Sequence, residues 1–557
     1  MKKNIHIPIW CLLAFLFCWV NVYAQSGAYN PVKRPHDWWQ ADWEKDSLPG
    51  ISLDEAYNYL KGRKSKPVVV AILDDCVDTA HEELKDYIWT NTKEIPGNGI
   101  DDDHNGYIDD MHGWCFVANK NNVSQTDEST GEVLTYITWR QQFENIDTSK
   151  LKGSLKIQYA MYQQSKKRVF EVYRFYQLGR IMQADTSRFI RYLDNLLGKY
   201  RDTIISKIPF ATLLYNNTYD SAANIFWPVF FREKLNPPGP TLEIWASIIK
   251  APVLNGTFFG KDVGLDNNEY DTTKNYRAVI GDDDNDFFTK YGTPTINIQG
   301  HSNHHATHIA GIIAANRQNN IGIKGVAGNV LIMPIIIGKK KGGVRDKDMV
   351  FAVHYAVDNG ASILNISIGG VPAIGEHVKE IMEAFDYASQ HGVLIVNAAG
   401  NDGVNMDNEI YNLGQGTGGK EHDDYIRVGA TTTLLNDSLV SSFSNFGEKS
   451  VDLFAPGTAI YSTAPANQYD IENGTSFSAP IVVGVAALLK SYFPTLTAKE
   501  IKEILMKSVY KPDIMVIPPY HAGFTNKIPF GKMSKSGGIV NAYNAVKLAD
   551  EMMKKSK

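Results

Sequence analysis

A turn of small and polar residues leads directly into an apolar segment in the last fifth of the chain. The turn is Asn473–Pro480 (NGTSFSAP), and Ile481–Leu489 after it has the pattern of a buried helix. Ser476 therefore lies where a helix opens. A helix N-terminus offers unpaired N–H groups and positive potential, which would stabilise an oxyanion formed beside a serine hydroxyl. An ordinary capping serine gives the same local pattern, so catalytic partners must be sought elsewhere.

An apolar run of strand length, Pro67–Leu73, ends abruptly in carboxylates. Asp74 and Asp75 follow it directly, and Asp78 lies nearby. In an open α/β sheet, reacting groups collect outside the carboxyl ends of parallel strands. We predict that Asp74, which continues the strand, orients an imidazole. Asp75 and Asp78 are predicted to shape the following turn.

Histidines are concentrated before a second apolar helix, predicted at Ile309–Ala315. They are His301, His304, His305 and His308. The H-x-x-x-H spacing also fits a zinc site, but zinc proteolysis needs an accompanying Glu, which this stretch lacks. We therefore favour a histidine acting as general base and keep a zinc hydrolase as the weaker hypothesis.

Asp, His and Ser in this chain order resemble the subtilisin-like serine proteases. The motifs of that family look like VAILD ending at Asp74, HATH beginning at His305 and GTSFSAP around Ser476. The resemblance implies that these three residues form the catalytic triad. It implies a secreted serine endopeptidase that forms a Ser acyl-enzyme. The alternative is a catalytically impaired, subtilase-like binding protein.

Two further segments are similar to functional segments of the same family. VLIVNAAGN, which ends at Asn401, resembles the oxyanion-hole segment and implies that role for Asn401. SIGG, which begins at Ser367, resembles the substrate-binding strand and implies that Ser367 and Gly369 bind substrate.

The chain departs from the family pattern beside two of the triad residues. Asp75 and Cys76 stand where the family usually has a small hydroxyl residue and then Gly, and Ala306 replaces the Gly after the histidine. A second carboxylate beside Asp74 would raise one pKa. Cys76 would be strained if its position requires a positive φ. In the binding-protein alternative, these changes spoil the triad.

Short apolar runs alternate with helical segments after residue 300, which is typical of an α/β fold with a parallel sheet. The predicted strands there are Val330–Ile337, Ile363–Ile368 and Val393–Val396. With the resemblance, this pattern predicts a subtilisin-like three-layer fold with a central, mostly parallel sheet. The catalytic domain is assigned to residues 67–117 and 300–557.

The remaining residues are divided into three segments. Residues 1–24 are predicted to be a signal peptide, and residues 25–66 an N-terminal extension. Residues 118–299 are too long for a structureless loop and carry aromatic residues at helical spacing, which predicts a mainly helical insertion. We expect it to dock beside the active-site face.

The first residues predict export. Lys2 and Lys3 precede an apolar stretch, Ile7–Val20, and small residues lead to a cleavage site near Ala24. The stretch is short for a membrane span, so we expect a secreted, periplasmic or cell-surface protein without stable membrane insertion. Loss of both lysines takes the net charge from −5 to −7, which argues against nucleic-acid partners and favours protein or peptide substrates.

Only two cysteines remain after removal of the signal, Cys76 and Cys115. An oxidising compartment permits a disulfide between them, but two buried thiols are an equal alternative, because sequence does not give their separation.

An acidic loop with oxygen ligands at alternating positions predicts structural calcium. Gly106 stands at the sixth position, as in an EF-hand-like loop, but His112 replaces the bidentate Glu, for which Asp110 is the substitute. The predicted ligands are Asp101, Asp103, Asn105, Tyr107 and Asp109. An acidic surface turn is the alternative. No organic cofactor is expected.

Overall fold

The computed structural model describes most of the chain outside the predicted signal and the middle of the predicted insertion. The described residues are 36–153, 155–156, 158–170, 190, 193–194, 197–199, 201, 272–283, 285–298, 301–338, 343–368, 377–408, 421–519 and 526–555. The predicted signal peptide and cleavage site lie outside them.

The chain divides into two compact units. The smaller comprises Met1–Arg34 and Lys166–Tyr270, and the larger comprises Pro35–Ser165 and Asp271–Lys557. The described residues of the predicted insertion up to residue 165 and from 272 onward therefore cluster with the larger unit.

A parallel sheet forms the centre of the larger unit. Its strands, in spatial order β2-β3-β1-β4-β5-β6-β7, all pair in parallel within the described ranges. They are β1 (Val68–Asp74), β2 (Trp114–Cys115), β3 (Val330–Ile336), β4 (Ile363–Ile366), β5 (Leu394–Ala398), β6 (Tyr425–Thr431) and β7 (Leu453–Pro456). The predicted α/β class with a central parallel sheet is confirmed.

Antiparallel pairs and helices surround this sheet. The pairs are β8 (Ile460–Ala464) with β9 (Gln468–Glu472), and β10 (Met515–Val516) with β11 (Ile528–Pro529). The α-helices are α1 (Trp43–Asp46), α2 (Leu53–Leu60), α3 (Gly131–Phe143), α4 (His304–Ala314), α5 (Asp346–Asp358), α6 (Val378–Gln390), α7 (Thr475–Tyr492), α8 (Ala498–Lys507) and α9 (Ala542–Lys555).

Alternation along β1 shows how the layers are built. Val70 and Ile72 belong to a core that also contains the buried residues of α4 and α7. Ala71 and Leu73 point the other way, into a core shared with α5 and α6. Because successive side chains of a strand face opposite sides of the sheet, helices cover both faces and give three layers.

The central helix of the first layer is α7. It is long and apolar enough to cross a membrane, but 89% of its apolar window is buried inside the protein, as expected for a core helix. It begins at Thr475 and α4 begins at His304, so both helices start earlier than the predicted apolar segments. Ser476 and His305 consequently lie in first helical turns.

The N-terminal extension packs against the catalytic body from residue 36 onward. Trp38 and Trp39 are buried, and the indole of Trp38 donates to the carbonyl of Ala459 at 2.9 Å. The amide of Ala542, which begins α9, donates to Ile51 O at 2.7 Å. These contacts make residues 36–66 part of the fold of the larger unit.

Cys76 and Cys115 are both buried and are not joined by a disulfide. They lie in one small apolar cluster beside the end of β3. Of the two alternatives that the sequence leaves open, the structure has two buried thiols.

We predict that Gly484→Ala destabilises the protein. A Cβ at Gly484, inside α7, would lie 2.4 Å from Val326 Cβ, an atom that no rotamer change can move away. Overpacking costs about 1–3 kcal/mol, which exceeds the gain of up to about 1 kcal/mol from replacing Gly in a helix. Denaturant unfolding measures the change.

The matched control is Gly531→Ala, because a Cβ at Gly531 meets nothing within 4 Å. It should change the free energy of unfolding by no more than about 0.5 kcal/mol. Equal stability of the Gly484→Ala variant and the wild type would show that α7 tolerates more volume than this packing allows.

Candidate active site

Asp74 and His305 meet at the carboxyl end of β1. Asp74 is the last residue of that strand and is 4% exposed, and His305 lies in the first turn of α4. The Nδ1 of His305 donates to Asp74 Oδ1 at 2.7 Å. A carboxylate on Nδ1 fixes the tautomer that leaves Nε2 as an acceptor, as a general base requires.

Asp75 also holds α4 in place. Its Oδ1 accepts a hydrogen bond from the amide of Ala306 at 2.8 Å, whereas Asn303, at the N-cap position, makes no side-chain cap. The amide of Asp75 donates to Asp74 Oδ1 at 2.8 Å. The second carboxylate therefore satisfies an unpaired helix N–H group and ties β1 to the helix that carries His305.

Cys76 is not strained. It is absent from the non-glycine residues with a positive φ in the described chain, and its amide donates to Ser302 O at 3.1 Å. The cost foreseen for a residue other than Gly at this position therefore does not arise.

Asp78 shapes the following turn and also bonds beyond it. Its carboxylate accepts from the amides of Ala80 and Ala466, and its own amide donates to Thr307 Oγ1 at 2.8 Å. The turn after β1 is thereby linked to α4 and to the β8–β9 hairpin.

Ser476 lies in the first turn of α7, and the ring of the next residue, Phe477, contacts His305. The rings of Phe477 and His305 have centroids 5.4 Å apart. The Ser476 hydroxyl donates to Ser367 O at 2.9 Å, and the Ser367 hydroxyl donates back to Ser476 O at 2.8 Å. Among the described hydrogen bonds, none joins Ser476 to His305.

The reciprocal hydrogen bonds with Ser476 also hold Ser367 in place. Ser367 directly follows β4, so the reciprocal pair of hydrogen bonds joins the carboxyl end of the sheet to the start of α7. Gly369, the other residue predicted to bind substrate, lies outside the described residues.

Asn401 is anchored beside Ser476 by its amide oxygen. Oδ1 accepts from Thr475 N at 2.9 Å and from Thr475 Oγ1 at 3.0 Å. Because this atom accepts from two donors, it must be the oxygen of the side-chain amide, and Nδ2 remains a hydrogen-bond donor. A Cβ on Gly474 would lie 3.6 Å from that Nδ2. Asn401 therefore presents an N–H group where α7 begins.

The electrostatics of the Asp74–His305 pair favour a protonated imidazole. Burial by itself lowers the pKa of His305. The charge and hydrogen bond of Asp74, together with the charges of Asp75 and Glu472, outweigh that effect and raise this pKa to about 9. Burial and the neighbouring Asp74 charge raise the pKa of Asp75 to about 7.

In the predicted calcium loop, some of the expected ligands converge. The carboxylates of Asp101 and Asp103 have oxygens within 4.8 Å of each other and of a Glu94 oxygen. Glu94 was missed by sequence reasoning because it precedes the alternating pattern. The set of hard carboxylate oxygens fits Ca²⁺.

All the predicted ligands of the loop lie within an internal network, in which Asp101 accepts the amides of Asn105 and Gly106 and Asp103 also accepts that of Asn105. Both oxygens of Asp109 accept backbone amides, from Asn98 at 3.1 Å and from Gly99 at 3.0 Å. Asn105 Oδ1 accepts the amide of Tyr107 at 2.8 Å. The Tyr107 side chain is buried in the core under α5.

Asp110, the substitute for the EF-hand Glu, is fully buried. It accepts from Asn91, Asn105 and the hydroxyl of Tyr355. Burial raises its pKa to about 6. These bonds give Asp110 a structural place beneath the loop.

Comparison with known proteins identifies a family to which the chain is similar. The family model described as Subtilase family matches residues 261–540. Subtilisin DY of Bacillus licheniformis is 37% identical over 203 residues, which cover 36% of this chain and 69% of that protein. The major intracellular serine protease of Bacillus subtilis is 37% identical over 191 residues, which cover 34% of this chain and 56% of that protein.

The solved structures to which this chain is similar include one of proteases from Pseudoalteromonas arctica. It has 27% sequence identity and a TM-score of 0.35, and the match covers 44% of this chain and 70% of that chain. The family match and the serine proteases among the relatives identify the reaction class as that of a serine-type endopeptidase. The chain belongs to the subtilase family.

Proposed function

We propose that this protein is an exported serine endopeptidase whose catalytic triad is Asp74, His305 and Ser476. The observation that carries the proposal is the 2.7 Å hydrogen bond from His305 Nδ1 to Asp74 Oδ1, with Ser476 opening the adjacent helix α7. Substrates are proteins or peptides.

In the proposed reaction, Ser476 Oγ attacks the scissile carbonyl while His305 Nε2 takes the hydroxyl proton and later returns it to the leaving amine. Asp74 keeps the imidazole in the correct tautomer. The hydroxyl now donates to Ser367 O, so attack requires rotation about χ1 of Ser476. Catalytic hydrogen bonds often form only when substrate is bound.

The developing oxyanion would be bound at the start of α7. Asn401 Nδ2 is the side-chain donor proposed for it, and the helix N-terminus adds positive potential. Thr475 supports this role because its amide and hydroxyl hold Asn401 Oδ1, so the donor is fixed before substrate arrives. Preorganised donors need no reorganisation during the reaction.

The departures from the family pattern support an active enzyme more than an impaired one. The carboxylate of Asp75 accepts a hydrogen bond from the amide of Ala306, and Cys76 has an ordinary backbone conformation. The extra carboxylate therefore reinforces the position of His305. We propose export through a signal at residues 1–24, as the sequence predicts.

We also propose that Glu94, Asp101 and Asp103 hold a structural calcium ion. Their carboxylates converge in one loop, and the amides of Asp102 and Asp103 donate to Glu94 Oε1. The ion would neutralise like charges held close together and thereby stabilise the loop.

Ser476→Ala should reduce kcat on a peptide substrate by about 10⁶-fold, as replacement of the nucleophile does in the relative subtilisin. Asn401→Ala should reduce kcat by about 10²- to 10³-fold, a value also established on subtilisin, with KM little changed. Steady-state kinetics measure both. Wild-type turnover in the Ser476→Ala variant would overturn the proposed nucleophile.

The activity should increase towards alkaline pH. His305 must be neutral to act as a base, so kcat/KM should rise with pH up to about 9, the pKa of His305. Asp75 is ionised in that range and stabilises the protonated imidazole. Asp75→Asn removes this charge while keeping an acceptor for Ala306, so the limb of the pH profile should move to lower pH.

The control for the pH profile is Asp54→Asn, which removes an exposed carboxylate on α2 and should leave the limb where it is. A limb that stays in place or moves to higher pH in Asp75→Asn would contradict the proposed charge effect.

Chelation of calcium should lower the Tm of the wild type, because a ligand present at 100 times its Kd stabilises by about 2.7 kcal/mol. Asp103→Asn should make the Tm less sensitive to chelator, whereas Asp283→Asn, in a separate acidic turn, should not. Thermal unfolding with calcium or chelator tests this, and an unchanged wild-type Tm would remove the proposed ion.

A further inference from the structure

A second set of metal-ligating side chains lies beside the proposed triad. Its members, which we call the His–acid cluster, are His304, Asp470 and Glu472, whose ligand atoms all lie within 4.8 Å of one another. His304 lies in the first turn of α4, and the two acids alternate on β9, so both acids lie on one face of that strand. His304 and Asp470 are 166 residues apart in sequence.

Interatomic distances place these groups around a common point. His304 Nε2 lies 2.5 Å from Asp470 Oδ2 and 4.0 Å from Glu472 Oε1. Tetrahedral zinc ligands, each about 2.1 Å from the ion, are about 3.4 Å apart, so small side-chain adjustments would suffice.

His308, one helical turn after His304, is fully buried and interacts with the backbone of Asp470 and Ile460. It therefore packs beneath the cluster and is not counted among its ligands.

The two elements of the cluster are fixed to each other. The hydroxyl of Ser462 on β8 donates to His308 O at 2.8 Å, and that of Thr463 donates to Thr307 O at 2.7 Å. β9 pairs with β8 along its whole length. The acids of β9 are therefore held against His304 on α4 before any ion binds.

We propose that the His–acid cluster binds a divalent transition-metal ion of the zinc type. One imidazole with two carboxylates forms a nitrogen and oxygen donor set suited to Zn²⁺, with a fourth position left for water, in contrast to the carboxylate set of the calcium loop. The side chains of His304, Asp470 and Glu472 are 37–41% exposed, which leaves the site open to solvent ions.

Titration calorimetry with Zn²⁺ on the full protein, with calcium present in excess, tests the binding. We expect one zinc ion per chain in the wild type and in Ser476→Ala. Loss of an outer-shell partner of a metal weakens its binding about 10- to 100-fold. His304→Asn and Asp470→Asn remove direct ligands, so each should weaken zinc binding by at least that factor. His391→Asn, which alters an exposed histidine at the end of α6, is the matched control.

A second variant separates this site from the triad. Zinc binding should persist in His305→Gln, and its loss there would assign the ion to the proposed catalytic histidine and overturn the proposal. Absence of binding in the wild type, or equal affinity in Asp470→Asn and the wild type, would also overturn it.

Discussion

The hydrogen bond between His305 and Asp74 depends on where the parallel sheet ends. β1 delivers Asp74 to its carboxyl edge, β4 delivers Ser367 to the same edge, and α4 and α7 begin there. Burial alone would favour a neutral imidazole, yet the nearby carboxylates prevail and raise the pKa of His305. The three-layer architecture thus fixes both the position and the basicity of the proposed general base.

Hydrogen bonds from the first turns of the helices complete this arrangement. Asp75 accepts the Ala306 amide, Thr475 holds Asn401, and Ser367 and Ser476 bond reciprocally. Each of these contacts satisfies a polar group at a helix start or strand end, where backbone groups lack partners within the element. The same contacts align the proposed catalytic groups, so local stability and function have one structural cause.

Much of this site could be predicted from the sequence because its signals are local. A strand that ends in Asp74 and a small-residue turn before an apolar helix both reflect short-range constraints. The alternation of strands and helices also predicted the parallel sheet. Contacts between distant segments gave no such signal. The approach of Asp470 to His304 depends on the β8–β9 hairpin folding back onto α4, and Glu94 joins the acidic loop from outside its repeating pattern.

The central claim is that Ser476 is an activated nucleophile, and covalent labelling tests it most directly. Intact mass should be measured after a fluorophosphonate probe is added to the wild type and to Ser476→Ala, with calcium present. One adduct per chain in the wild type and none in the variant is the predicted result. An unmodified wild type, or an adduct that persists in Ser476→Ala, would contradict the claim.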